Sequence, residues 1–284
     1  MPAWPQNALR VDSNLVLVPA QVTNEIGTPI IDLKKDQFRL FENGVEQEIR
    51  YFAREDSPVS VGVLLDTSGS MRDKKAKAAE AASRFFRTAN PEDEFFLIEF
   101  SDRPHLSVPF TTDSNVVYSR IFHTRPWGQT SLFDAVHMAL NQMKQARNTR
   151  KAILILSDGG DNRSRYTFRN IRNETLESDV QIYAMGIVGS ELAKARREEK
   201  EGPELLTALT EPTGGRHYPV LSLDDLPEIS ARIGEQLRST YLLGYSPSIE
   251  RDGKYRRVRV EVIPQPSLPK LHLSYRRGYY TPVY

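Results

Sequence analysis

The sequence predicts an α/β protein: a doubly wound, mostly parallel, Rossmann-like sheet, inserted in or flanked by an all-β sandwich that both chain ends build. Three observations carry this. Short apolar runs at Val61–Leu65, Phe95–Phe100, Lys151–Leu156 and Gln181–Ile187 alternate with helical patterns, the signature of a covered parallel sheet. The two ends instead alternate as strands, at Leu15–Thr23 and Phe38–Phe52 and again at Tyr241–Tyr245, Arg257–Val262 and Lys270–Tyr275. Each terminal set is too small to bury a core alone, because isolated hairpins are marginal. The expected division is therefore 11–56 and 240–284 as one discontinuous β domain, with 57–239 as the α/β domain between them.

Taken in order, residues 1–10 carry Pro2 and Pro5 and read as an unstructured lead. Gly27-Thr28-Pro29 turns the first strand into a short return over Pro29–Leu33. Phe38–Glu42 and Val45–Phe52 flank Asn43-Gly44, the strongest short hairpin signal because both residues tolerate positive φ. Residues 53–58 are expected to link this hairpin to the α/β domain, and Phe38 and Phe41 to face the sandwich core. Asp73–Ala89 reads as a helix turning Ala76, Ala79, Ala82, Phe86 and Ala89 to the sheet, stopped by Asn90-Pro91. Arg103–Phe110 fits an edge strand and Arg216–Val220 a last strand. Helices are expected over Ser114–Phe122, Ser131–Ala146, Phe168–Leu176, Leu223–Leu237 and from Glu204. Glu191–Glu204 mixes acids and bases without apolar period and reads as solvated surface.

The chain is organised around Val61-Gly-Val-Leu-Leu-Asp-Thr-Ser-Gly-Ser70, where a buried strand stops at an acid followed by small hydroxyl residues. In a turn guided by Gly69, Asp66, Ser68 and Ser70 can converge on one point. A carboxylate with neutral hydroxyls suits a hard ion, Mg²⁺, Mn²⁺ or Ca²⁺; zinc prefers His or Cys, and the chain has no Cys. Taken alone, the three residues equally suit helix caps. Two distant segments favour the ion: Gly128-Gln129-Thr130 before a helix, and Ser157-Asp158-Gly159 after another apolar strand. All three are expected to lie together outside the carboxyl ends of the strands, where open α/β sheets gather ligands. Asp134, Asp161 and Asn162 lie near these segments and read as caps or loop formers.

The sequence of motifs D-x-S-x-S, G-x-T and S-D-G resembles the metal-ion-dependent adhesion site of von Willebrand factor A domains. That resemblance implies that Ser68 and Ser70, with Thr130 in some states, bind the ion directly, while Asp66 and Asp158 often act through water. Hydroxyls are neutral, so two carboxylates leave a divalent ion unsaturated, and an acidic group of a protein partner can complete the shell. Gly27-Thr28-Pro29-Ile30, Asp36–Gly44, Tyr241-Leu-Leu-Gly-Tyr245 and Arg277-Gly-Tyr279 extend the likeness to nearly the whole chain. Together they resemble the bacterial VWFA-related domain family first named from acidobacteria, whose members are typically predicted to be exported. A secreted or periplasmic location is what that likeness implies, although no signal peptide is present.

Composition narrows the function. The 38 basic and 37 acidic residues leave a net charge of +1, which argues against a nucleic-acid partner. No apolar run approaches the ~18 residues of a membrane span. The five histidines show no zinc-protease spacing, and phosphate-loop and GxSxG motifs are absent, so no enzyme activity is expected. The favoured function is a divalent-metal-dependent adhesion module that captures an acidic group, with loops 101–112, 123–130 and 159–167 setting specificity. Alternatives are a cytosolic assembly subunit resembling A-domain partners of AAA+ ATPases and chelatases, and a metal-assisted hydrolase using Asp158 or His123 as base.

Overall fold

The computed structural model describes residues 15–55, 57–187, 197–247, 252–265 and 269–281. The expected unstructured lead and residues 191–196 of the charged stretch lie outside them. In chain order the strands are β1 (Val16–Thr23), β2 (Phe38–Glu42), β3 (Val45–Gln47), β4 (Tyr51–Glu55), β5 (Val59–Asp66), β6 (Glu94–Phe100) and β7 (Pro104–Thr111). They continue with β8 (Arg150–Ser157), β9 (Val180–Ile187), β10 (His217–Val220), β11 (Thr240–Tyr245), β12 (Tyr255–Val262), β13 (His272–Tyr275) and β14 (Gly278–Tyr280). The helices are α1 (Lys75–Phe86), α2 (Ser114–His123), α3 (Leu132–Met143), α4 (Phe168–Glu177), α5 (Arg197–Thr210) and α6 (Leu226–Arg238).

Six strands form the central sheet in the order β10-β9-β8-β5-β6-β7, parallel except for the antiparallel edge strand β7. Every residue of β5, β6 and β9 is buried, as a sheet covered on both faces requires. Val61, Val63 and Leu65 point to a core shared with α1, α2 and α6, while Leu64, Ile153 and Ile155 pack against α3, α4 and α5. The chain runs from β5 outward to β6 and β7, then returns to place β8 on the other side of β5. The reversal of order at β5 and β8 opens a crevice at their carboxyl ends. Gly62 is needed inside β5: a Cβ there would lie 2.2 Å from Phe96 Cζ.

The chain ends form two antiparallel four-stranded sheets, β13-β1-β11-β4 and β14-β12-β2-β3, with one core between them. β1 pairs with β11 and β13, and β2 with β12, so amino- and carboxy-terminal strands alternate in the first sheet and meet at the β12–β2 pair in the second. The expected sandwich is thus partly realised as these two sheets, but its details differ. The predicted strand Val45–Phe52 breaks at residues 48–50, and its halves β3 and β4 belong to opposite sheets. The expected linker of residues 53–58 is partly strand, since β4 runs to Glu55 and pairs with β11. The return over 29–33 is reduced to a single bridge, Thr23 to Pro29. Phe38 enters the core, but Phe41 cannot share its face, because strand residues three apart point oppositely. Phe41 is buried instead beneath the guanidinium groups of Arg39 and Arg259, 4.9 and 4.0 Å from its ring centre.

Helix α1 also starts later than expected, after a 3₁₀ segment over Gly69–Lys74, and Ala76 in its first turn is exposed. The helix buries Ala78, Ala79, Ala81, Ala82 and Phe85, small residues that let it lie close to the sheet. Polar contacts join the two units. Gln21 of β1 donates to the hydroxyl of the fully buried Tyr183 in β9 at 2.5 Å, and Gln236 of α6 donates to the Gly27 carbonyl at 3.2 Å.

Candidate metal centre

Asp66 closes β5 at the crevice and is 2% exposed. One carboxylate oxygen accepts the Ser68 amide at 2.9 Å, and the other accepts the Ser157 hydroxyl at 2.6 Å. The first bond folds the chain back after the strand, so the Ser68 and Ser70 hydroxyls come within 3.0 Å of each other. Ser157 in turn accepts the Gly159 amide at 3.0 Å, which fixes the turn carrying Asp158. The two segments predicted to share a site are therefore tied through Ser157, whose part the sequence did not reveal beyond its place in the S-D-G motif.

Thr130 reaches this place by its backbone. Gly128, at a φ of 82° that favours glycine, presents its carbonyl to the Gly69 amide at 3.1 Å. The Trp127 amide donates to the Thr67 carbonyl at 2.7 Å. On its other side the Thr130 amide donates to Asn162 Oδ1 at 3.0 Å, and its carbonyl accepts the amides of Asn162 and Arg163. Asp66, Ser68 and Ser70 are thus joined by hydrogen bonds, Asp158 follows Ser157, which bonds Asp66, and Thr130 is held by backbone contacts of the neighbouring loops. Asp134, Asp161 and Asn162 act as loop formers, as expected. Asp134 accepts the Arg165 and Tyr166 amides, and Asp161 accepts the Phe133 amide and the Ser164 hydroxyl.

The electrostatics of the group are set by burial and by the proximity of two carboxylates. Burial, reinforced by the neighbouring Asp158 carboxylate, pushes the Asp66 carboxyl up to about 7 despite hydrogen bonds from Ser157 and Ser68 that pull it down. Asp158 is also buried, and its Oδ2 accepts no hydrogen bond from a described residue. The nearest compensation is Lys74, whose Nζ stands 3.5 Å from that oxygen while donating to the Ile187 carbonyl at 3.0 Å. Nothing in the run Lys74-Lys75 marks this lysine; the 3₁₀ entry to α1 is what brings it there. Among the described residues no cluster of three or more His, Cys, Asp or Glu exists to hold a metal. The available donor set is two carboxylates with three hydroxyls, all oxygen, which fits Mg²⁺, Mn²⁺ or Ca²⁺ and not a thiophilic ion.

Residues 61–160 match the von Willebrand factor type A domain family. The matched span runs from β5 to the glycines after Asp158 and so contains all five candidate ligands. A curated relative, an uncharacterised protein of Borreliella burgdorferi, is 23% identical over 179 residues, or 56% of this chain. The alignment spans about half of that relative, 52% of its length. Among solved structures, a von Willebrand factor type A protein from Catenulispora acidiphila superposes with a TM-score of 0.54 at 12% identity. It covers 96% of this chain and 74% of its own. The vWF domain of the type V pili tip protein Mfa5 from Porphyromonas gingivalis gives 0.51 at 13% identity, over 64% of this chain and 96% of its own. At such identities these likenesses concern the fold alone. Among the described residues no helix is long and apolar enough to cross a membrane.

Proposed function

We propose that the chain is a divalent-cation-dependent protein-binding module. Asp66, Ser68, Ser70, Thr130 and Asp158 would hold Mg²⁺, or Mn²⁺ or Ca²⁺, and a carboxylate of the partner would complete its shell. The observation that carries this reading is the buried Asp66–Asp158 pair, whose two carboxylates face a single cationic side chain among the described residues, that of Lys74. Two buried carboxylates beside two clustered hydroxyls form an arrangement that is costly until a cation enters. The ion supplies the charge that both neutralises this pair and attracts the partner's acid. The protein supplies the rigid hydroxyl set, with Thr67, which donates from both its amide and its hydroxyl to the Phe100 carbonyl, locking the turn.

The surroundings favour a protein partner with an acidic group. Trp127, between Thr67 and Gly128, is 61% exposed, and an aromatic side chain standing in solvent beside such a site suits a buried anchor in a complex. Arg72, Arg125, Arg163 and Arg165 are exposed on the segments that bear or adjoin the five ligands. They would steer an anion inward and contribute chiefly to association rate. Of the loop expected over 101–112, only residues 101–103 are loop; the remainder is largely β7. Specificity is therefore assigned to residues 101–103, 123–130 and 159–167. The likeness to a pili tip domain supports an extracytoplasmic setting, in keeping with adhesion.

The test is calorimetric titration of Mg²⁺, Mn²⁺ and Ca²⁺ into chelator-treated protein and its Asp66→Ala and Thr130→Ala variants, followed by partner capture with ion or chelator. Binding that disappears in the variants is expected. Wild-type protein that takes up no ion, alone or with an acidic peptide present, would refute the reading.

A further inference from the structure

A second cleft, of about 570 Å³, lies where the α/β unit meets the sandwich, between α4 and the outer face of β12 and β14. Arg172 of α4, Arg257 of β12 and Arg277, which precedes β14, project from three separate elements and are exposed. None of the three pairs with a carboxylate among the described residues, whereas Arg39 and Arg259 on the same sheet are engaged by Glu46 and Glu261. Among the described residues the lining contains no acid. Its floor is aromatic: Tyr255 and Tyr280 face each other across β12 and β14 with ring centres 5.2 Å apart. Gly278 makes this floor possible, since a Cβ there would lie 2.4 Å from the Tyr255 hydroxyl oxygen. Leu176 and Pro212 complete the wall.

The cleft is held open by contacts that do not use these three guanidinium groups. Arg276 pairs with Asp179 and donates to the Leu176 carbonyl, and the Arg277 amide donates to the Pro212 carbonyl at 3.1 Å. The Asn43 amide donates to the Arg257 carbonyl at 2.8 Å, and the Arg257 amide to Asn43 Oδ1 at 3.0 Å, so the hairpin turn pins this stretch of β12. Arg277 lies over the Tyr275 ring, 5.0 Å from its centre, and donates to the Tyr275 hydroxyl at 3.5 Å, while no carboxylate among the described residues engages any of the three forks; such a site fits planar oxyanions flanked by apolar surface. Sugars fit less well: carboxylates and amides that grip their hydroxyls are missing from the lining apart from Asn173.

We propose that this junction cleft is a second binding site, which takes an extended peptide segment of a protein partner in which acidic and apolar residues alternate. Glutamates or aspartates pair with Arg172, Arg257 and Arg277, and the intervening apolar side chains lie on Tyr255 and Tyr280. This site needs no metal and stands independently of the reading of the Asp66 centre.

The experiment is fluorescence anisotropy of a short fluorescein-labelled peptide of alternating Glu and Leu, titrated with the full chain in chelator. Saturable binding that weakens with salt is expected, along with a loss of about tenfold for each of Arg172→Gln and Arg257→Gln. Asp66→Ala is expected to leave it unchanged. These arginines are exposed, and circular dichroism checks that the variants fold. Absence of saturable binding, equal binding by the Arg172→Gln/Arg257→Gln double variant, or preferential binding of a labelled sulfated tetrasaccharide would each overturn the assignment.

Discussion

The sharpest consequence of the buried carboxylate pair concerns the protein without its ion. Asp66 titrates at about 7 in the folded chain, because burial and Asp158 oppose its charge, against about 4 when unfolded. A carboxyl raised in the native state is a destabilising ion. Between pH 4 and 7 the native protein retains a proton that the unfolded chain has released, so stability falls as pH rises through that window and levels off above it. A shift of about 3 pH units corresponds to roughly 4 kcal/mol, of the same order as a domain's whole margin. Asp66→Asn removes the charge and keeps the shape. The amide oxygen can still accept the Ser68 N–H, and its NH₂ can donate to Ser157 Oγ, now 2.6 Å from the carboxylate. In chelator at pH 8 the variant is expected to unfold about 2–4 kcal/mol above wild type in urea titrations, and at pH 4 to match it. An Asp66→Asn protein no more stable than wild type at pH 8, or equally stabilised at both pH values, would refute the assignment of stored electrostatic strain to this carboxyl.

Other outcomes follow from single contacts. Lys74→Met removes the ammonium 3.5 Å from Asp158 Oδ2. It is expected to tighten Mg²⁺ binding by about five- to tenfold, through loss of a competing charge in a dry site; weaker binding by calorimetry would count against this role. Gly62→Ala places a methyl 2.2 Å from Phe96 Cζ between two fully buried strands and is expected to cost about 3 kcal/mol, read as a fall in Tm of about 6–10 °C. Burial depresses His217 to about 4, and its Nε2, packed on Gly186, has no partner. Between about 6.5 and 4 only the unfolded chain gains that proton, so stability falls as pH is lowered. Replacing it in the Asp66→Asn background, where the opposite trend is silenced, is expected to reduce the loss between pH 7 and 5 by about 1–2 kcal/mol in urea titrations.

How much of this was legible in the sequence follows from where each kind of information resides. The apolar strands announced the central sheet because a covered strand needs apolar residues on both faces, and Asp66, Thr130 and Asp158 were recognisable because each follows such a strand or opens a helix. The division of Val45–Phe52 between two sheets was not recognisable. Alternation fixes which face a residue takes but not which neighbour its strand pairs with, and β4 is claimed by β11, nearly two hundred residues away. For the same reason β14 went unseen: three residues carry no period, and only pairing with β12 makes them a strand.

The candidate centre divides along the same line. Residue types that bind a hard ion can be read from a motif, since the chemistry lies in the side chains. The groups that set the centre's energy cannot, because they arrive through topology. Ser157 restrains Asp66 from the neighbouring strand, and Lys74 neutralises Asp158 from a 3₁₀ turn. Arg172, Arg257 and Arg277 illustrate the extreme case. They are separated by as much as a third of the chain and share no motif, yet the docking of α4 against the sandwich places their uncompensated charges in one cleft. A motif specifies what a site can bind; the pairing of strands decides how tightly, at what pH and with what counter-charge.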